Sequence, residues 1–205
     1  MKKKIAAFIV ILCFSMSIVQ IFADTTYTVR YGDTMWRIAQ KHQVGISEII
    51  SKNPQIKNPS LIYPGQKITI PSTTAINALE NEVIRLTNIE RSKRGLAALK
   101  ANWQLSRCAR YKSQDMINRN YFAHQSPTYG SPFDMIESFG ISMAAGGENI
   151  AMGQRTPEEV VRSWMNSPGH RGNILSTAFT EIGVGVAKSK NGNYYWTQMF
   201  IRPGR

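Results

Sequence analysis

The chain has 205 residues, of which 42% are hydrophobic and 19% charged, with a formal charge of +12. That composition excludes a disordered or collagen-like chain and leaves room for one or two ordinary domains. The basic excess favours an anionic partner, which is nucleic acid, anionic lipid or a wall polyanion depending on compartment.

The N-terminus speaks to compartment. Lys2, Lys3 and Lys4 form a positive patch, and Ile5 to Phe22 is apolar apart from Ser15, Ser17 and Gln20. Small Ala23 precedes Asp24, the first acidic residue. This is the pattern of a signal peptide over residues 1–23. The alternative is an uncleaved anchor, because the apolar run approaches bilayer length. Cleavage would remove Cys13 and leave Cys108 alone, so no intrachain disulfide is available to the mature chain. Export argues against nucleic acid and makes anionic wall polymers the more natural match for the positive charge.

Two blocks follow, separated by Pro71-Ser72-Thr73-Thr74, a polar stretch that reads as a linker over 72–75. In the first block, Tyr27 to Arg30 alternates as a strand. Gly32-Asp33-Thr34 is a turn, with Asp33 placed to cap a helix from Met35 to Lys41. Within that helix Met35, Ile38 and Ala39 recur at helical spacing, and Trp36 is read as core. His42 is read as a solvated helix-end residue. Ser47 to Lys52 is a second helix, stopped by Asn53-Pro54. Lys67 to Ile70 is a closing strand after the Tyr63-Pro64-Gly65 turn.

The strand, helix, helix, strand order and the segments GDTMWRIA, Asn53-Pro54 and YPGQKITIP resemble the LysM family across residues 27–71. The resemblance implies binding of peptidoglycan or another N-acetylglucosamine glycan. It places the groove between Gly32, Asp33, Thr34 and Met35 on one side and Asn53, Pro54, Gln55 and Ile56 on the other. Such a ligand is neutral and rich in hydroxyls, amides and acetyl methyls. Backbone donors and acceptors with a small apolar slot, here Met35 and Ile56, would suit it. The same residues also have structural readings, as cap, helix stop and core.

The second block, residues 76–205, is long enough for a core of its own. Leu79, Val83, Leu86 and Ile89 give one helical pattern. Leu105, Cys108, Ala109, Lys112 and Met116 give another. Pro157 to Met165 is a helix with Thr156 as its cap, proline in its first turn and Glu158-Glu159 at its positive end. Ile182–Ala187 and Tyr194–Ile201 read as strands of a hairpin turned at Asn191-Gly192. Helices followed by strands indicate α+β or an α/β/α sandwich.

Chemistry-bearing residues are scarce in this block. Its two histidines, His124 and His170, each lie beside a Ser-Pro, and Gly146-Gly147-Glu148-Asn149 falls between them. Two glycines before a carboxylate point to close backbone approach, not to a phosphate cradle. The segments YFAHQSP, GGENIA, PEEVVRSWMNSPGHRGNIL, FTEIGVGVA and YYWTQMF resemble the CAP superfamily, the cysteine-rich secretory group, in its bacterial form. The fold class implied for the whole chain is α+β: a small βααβ LysM module followed by an α/β/α sandwich CAP domain.

The resemblance also implies a cleft of two histidines and two acids, in some members around a divalent metal. His124, Glu148 and His170 match three of the four positions. Ser167 stands where animal and plant members carry the second acid, and Glu181 is the other carboxylate to consider. Two histidines and a carboxylate could hold a divalent metal such as zinc, hydrogen-bond as a structural cluster, or act as acid and base. No cofactor is required by the sequence. No nucleophile is evident: there is no G-x-S-x-G, Ser126 and Ser167 sit in Ser-Pro turns, and Cys108 lies on an apolar helical stripe. The readings left open are a wall-associated binding protein whose CAP ligand is unknown, a cell-wall hydrolase, and a lipid carrier.

Overall fold

The structure is a computed structural model, and it describes residues 23–204. The signal peptide expected at 1–23 lies outside the described residues except for Ala23. Among the described residues, no helix is long and apolar enough to cross a membrane.

The first domain has β1 (Thr25–Thr28), α1 (Met35–His42), α2 (Ile46–Lys52) and β2 (Lys67–Ile70). The two strands pair antiparallel, from Thr25 opposite Ile70 to Thr28 opposite Lys67. The first strand therefore sits two residues earlier than its alternation indicated. Val29 leaves the regular ladder because its N–H and C=O bond to Gln66 and Gly65 of the turn before β2.

Three expectations for this domain are corrected. Thr34, not Asp33, caps α1, with its Oγ1 accepting from the Arg37 N–H at 3.2 Å. Asp33 instead closes its own turn, where its Oδ2 accepts from the Arg30 N–H at 2.7 Å and the Tyr27 hydroxyl at 2.8 Å. Trp36 is 54% exposed. Met35, Ile38 and Ala39 already fill the inward stripe, and a residue one step from Met35 is turned about 100° away from it. His42 is not freely solvated. Its ring packs edge-on against Tyr27 with centroids 5.3 Å apart, and burial, followed by neighbouring Lys41, pushes its pKa down.

The second domain contains α3 (Thr74–Ser92), β3 (Lys100–Ala101), α4 (Trp103–Asn118), α5 (Pro132–Ser138), β4 (Met143–Met152), α6 (Pro157–Asn166), α7 (Pro168–Leu175), β5 (Glu181–Lys188) and β6 (Tyr194–Pro203). Helix α3 starts at Thr74, inside the stretch read as linker. The cap of α6 is as expected, with Thr156 Oγ1 accepting from the Glu159 N–H. The β5–β6 hairpin turns where Asn191-Gly192 indicated, with Gly192 at φ +86°.

The sheet runs β3-β5-β6-β4. Strand β6 is antiparallel to both neighbours, and β3 is parallel to β5. One face packs on α3, α6 and α7, where Val83, Val160, Trp164 and Ile174 meet Ile182, Val184, Trp196 and Phe200. The other face packs on α4 and α5, where Leu105, Cys108, Met135 and Ile136 meet Met199 and Ile201. This is the expected α/β/α sandwich.

The alternation in β5 explains how close α4 lies. Ile182, Val184 and Val186 point to one face and are buried there. A Cβ on Gly183 would strike the Leu105–Ser106 backbone, and one on Gly185 the Ala109–Arg110 backbone. Only glycine at both positions lets the helix rest on the strand, and that contact sets the height at which α4 presents its C-terminal half to the site.

Candidate functional site

The histidine–carboxylate cluster is built on β4, an edge strand of the sheet. The Gly146-Gly147-Glu148-Asn149 segment is strand. The close approach read from the two glycines is present. A Cβ on Gly147 would lie 2.9 Å from Phe179, and one on Gly146 3.0 Å from Phe133.

Successive β4 side chains serve opposite faces. Glu148 stands opposite Met199 on the α4 side, and Asn149 stands opposite Gln198 on the α3 side. Glu148 Oε1 lies 2.7 Å from His124 Nδ1, and the carboxylate side chain is 2% exposed against 54% for the imidazole. Glu148 Oε2 is buried with no hydrogen-bond partner. A carboxylate can only accept, so in the neutral ring it selects the tautomer with the proton on Nδ1. That leaves His124 Nε2 as the nitrogen with a free lone pair.

Two buried groups on α4 hold His124 in place. Lys112 Nζ donates to the His124 carbonyl. Burial lowers the pKa of Lys112, opposed by Glu148, Asp115 and Cys108. One turn on, Asp115 accepts from Ser126 Oγ, Thr128 Oγ1 and the Tyr121 hydroxyl, all within 2.8 Å. Burial alone would raise the Asp115 pKa, but the three donors together hold it below the usual carboxylate range. The loop carrying His124 is thus tied to α4 at both ends of its turn.

His170 enters from α7. Its carbonyl accepts from Asn149 Nδ2 at 3.1 Å. Asn173, on the same helix, donates to the Glu148 carbonyl at 3.1 Å and to Asn149 Oδ1 at 2.9 Å. Asn149 in turn donates to Gln198 Oε1, whose amide donates to Thr87 Oγ1 on α3. Burial lowers the His170 pKa, and neighbouring His124 lowers it further, so His170 favours the neutral ring.

His124 and Glu148 pair directly, and His170 lies near enough to His124 for the two rings to repel each other's charge. The three do not stand as a joint ligand set. Among the described residues no three His, Cys, Asp or Glu side chains are placed to share a metal ion. Glu148 turns its carboxylate to His124 instead, and two histidines fall short of the three protein ligands a catalytic zinc usually takes. Glu181 belongs elsewhere: its Oε2 accepts from Asn102 Nδ2 at 2.7 Å, at the N-terminal cap of α4. Ser167 ends α6 and opens α7.

Neither remaining nucleophile is available. Cys108 is buried, and burial, with help from the Glu148 charge, pushes its thiol up to about 12. Ser126 Oγ gives its proton to Asp115 and accepts from the backbone N–H groups of Thr128 and Tyr129. Sequence reasoning gave no functional role to Lys112, Asp115, Asn149 or Asn173. One signal was present: Lys112 occupies a position in the otherwise apolar stripe of α4.

On the first domain, Met35 and Ile56 are buried in its core and open no apolar slot. Asn53 is also fully buried. Its Nδ2 donates to the Ile49 and Thr69 carbonyls, and its Oδ1 accepts from the Thr69 N–H and Gln55 Nε2. It ties the end of α2 to β2. The surface here is main chain at Gly32 with the exposed residues Thr34, Pro54 and Gln55.

Residues 84–200 match the model of the cysteine-rich secretory protein (CAP) family, and residues 27–71 match that of the LysM domain. The chain belongs to the CAP family and carries an N-terminal LysM domain. It is 58% identical over 133 residues to the protein YkwD of Bacillus subtilis (strain 168), a match covering 65% of this chain and 51% of YkwD. It thus spans about half the length of that relative. A crystal structure of an extracellular protein containing a SCP domain from Bacillus anthracis str. Ames superposes with a TM-score of 0.59 at 35% identity, covering 68% of this chain and 47% of the other. An endolysin of Bacillus phage B103 is 35% identical over 60 residues, 29% of this chain and 23% of the endolysin.

Proposed function

We propose that this is an exported, cell-wall-associated protein that holds N-acetylglucosamine chains of peptidoglycan through its LysM domain and uses the CAP cleft for binding, without covalent chemistry. The observation that carries the first half is the LysM domain over residues 27–71, complete in its βααβ order. The extracellular SCP-domain neighbour and the endolysin similarity point the same way. The basic balance of the chain suits anionic wall polymers as a secondary contact. For the cleft, the buried Cys108 and the committed Ser126 leave it without an attacking group, which favours a binding or scaffold role.

A hydrolase is the second reading. It rests on the His124–Glu148 pair, in which a buried carboxylate orients the ring and leaves Nε2 free to take a proton from water. Purified sacculi distinguish the two. The full chain should sediment with peptidoglycan, and deletion of residues 24–71 should abolish this. Incubation with walls, with or without added zinc, should release no soluble fragments. Fragment release that disappears in both His124→Ala and His170→Ala would replace the binding reading with the hydrolytic one.

A further inference from the structure

The two domains meet through a built contact. Arg107 of α4 reaches α2 of the LysM domain, where its Nε donates to Glu48 Oε1 at 3.0 Å and Oε2 at 3.3 Å. Its Nη2 donates to Ser47 Oγ at 3.0 Å, and Ser47 Oγ lies 3.1 Å from the Tyr111 hydroxyl. The guanidinium rests over the rings of Tyr111 and Phe139, at 5.1 and 5.0 Å. A Cβ on Gly45, at the foot of α2, would strike the Glu48 carboxylate and the Arg107 guanidinium, so a larger residue there would push the clasp aside. The Arg107 charge offsets the burial of Glu48 and holds its pKa below the usual carboxylate value.

Beside this clasp lies a crevice of about 350 Å³ between the domains. Trp36 and Gln40 of α1 form one wall, Trp103 and Gln104 of α4 the other, with Phe139 and Arg107 at its end. Both indoles are solvent-accessible, whereas the protein's other two tryptophans, Trp164 and Trp196, are fully buried.

We infer that this crevice is a saccharide subsite, taking a further ring of the same N-acetylated glycan that the LysM domain holds. The inference rests on that glycan reading. Indole and phenyl faces pack against the C–H faces of a pyranose, and side-chain amides match its hydroxyls and acetamido group. The volume falls in the range of small-molecule sites. A neutral ligand fits because the one charged side chain lining the crevice, Arg107, is already paired with Glu48. Trp36, which lines the crevice, is the next residue in sequence after the Gly32–Met35 segment read as one side of the glycan groove. Neither domain has the subsite alone.

The test is titration of the full chain with N-acetylglucosamine oligomers from dimer to hexamer, read by calorimetry and tryptophan fluorescence. Wild-type affinity should rise with length, and fluorescence should change as long oligomers bind. Trp103→Ala and Trp36→Ala, each checked for native circular dichroism, should flatten the length dependence. For the hexamer the expected loss is about threefold to tenfold. The two substitutions lie on different domains, so misfolding of one domain cannot produce the same loss in both. Hexamer affinity equal to wild type in both variants overturns the subsite while leaving LysM binding intact. No binding of any oligomer by wild type overturns the glycan reading itself.

Discussion

At the scale of single residues, the cleft is defined by what surrounds each reactive atom. Cys108 has no access to solvent, and its thiol sits near 12. At about pH 8 roughly one thiol in ten thousand would be ionised. Iodoacetamide should therefore leave the native protein unlabelled and modify Cys108 fully after denaturation in guanidinium, as mass spectrometry would show. Rapid native labelling would mean that α4 does not hold the thiol as described. The histidines and Glu148 were legible in the sequence because His and isolated carboxylates are rare there. Their supports were less so. Lys112 shows as a lone charge in an apolar stripe, whereas Asp115 lies at the edge of that stripe and only folding shows that it is buried. Trp36 was misread because residue type outweighed its position on the helical wheel. Asn53 was read as stopping a helix, and it also bonds β2 across sixteen residues of sequence.

At the scale of elements, the strongest periodicities survived translation into structure: α1, α2, α3, α4, α6 and the β5–β6 hairpin all lie where they were expected. Strand β4 did not announce itself, because Met143-Ala-Ala-Gly-Gly-Glu-Asn has no β-branched residue and its strand character comes from pairing with β6. Helices α5 and α7 each begin at a proline and are short: Ser167-Pro168 reads as a turn, and Pro132–Ser138 spans too few turns to show a periodicity. The glycine pair in β5 makes the sharpest prediction at this scale. Gly185→Ala drives a methyl into the Ala109–Arg110 backbone, which a flexible side chain cannot relieve. It should destabilise the domain by about 3 kcal/mol or more in urea denaturation, at the upper end of overpacking effects. Alanine at Gly192, which has no neighbour within 4 Å, meets no such clash and strains only its own backbone, so it should cost less.

At the scale of the whole molecule, one buried carboxyl links α3 to α4. Glu80 on α3 lies 2.9 Å from Arg110 and accepts from the Val186 N–H. Burial pushes its carboxyl up to about 8, against the pull of Arg110. The unfolded chain loses that proton near 4.5 and the folded chain near 8, so the folded state holds the extra proton between them. Stability should fall as pH rises across that window, and Glu80→Gln should remove that part of the slope in denaturation midpoints measured at several pH values. A slope unchanged by the substitution would assign it to other groups.

The strand order has a consequence in time. Strand β6 comes last in the chain yet lies between β5 and β4. Until Tyr194–Pro203 arrives, β4 has no neighbour in the sheet, and Glu148 and Asn149 have no Met199 and Gln198 beside them. A chain threaded through a pore N-terminus first would thus deliver the LysM fold early and leave Glu148 and Asn149 unpartnered until Tyr194–Pro203 were through. The half that carries the His124–Glu148 pair would be the half that cannot form while that strand is still in transit.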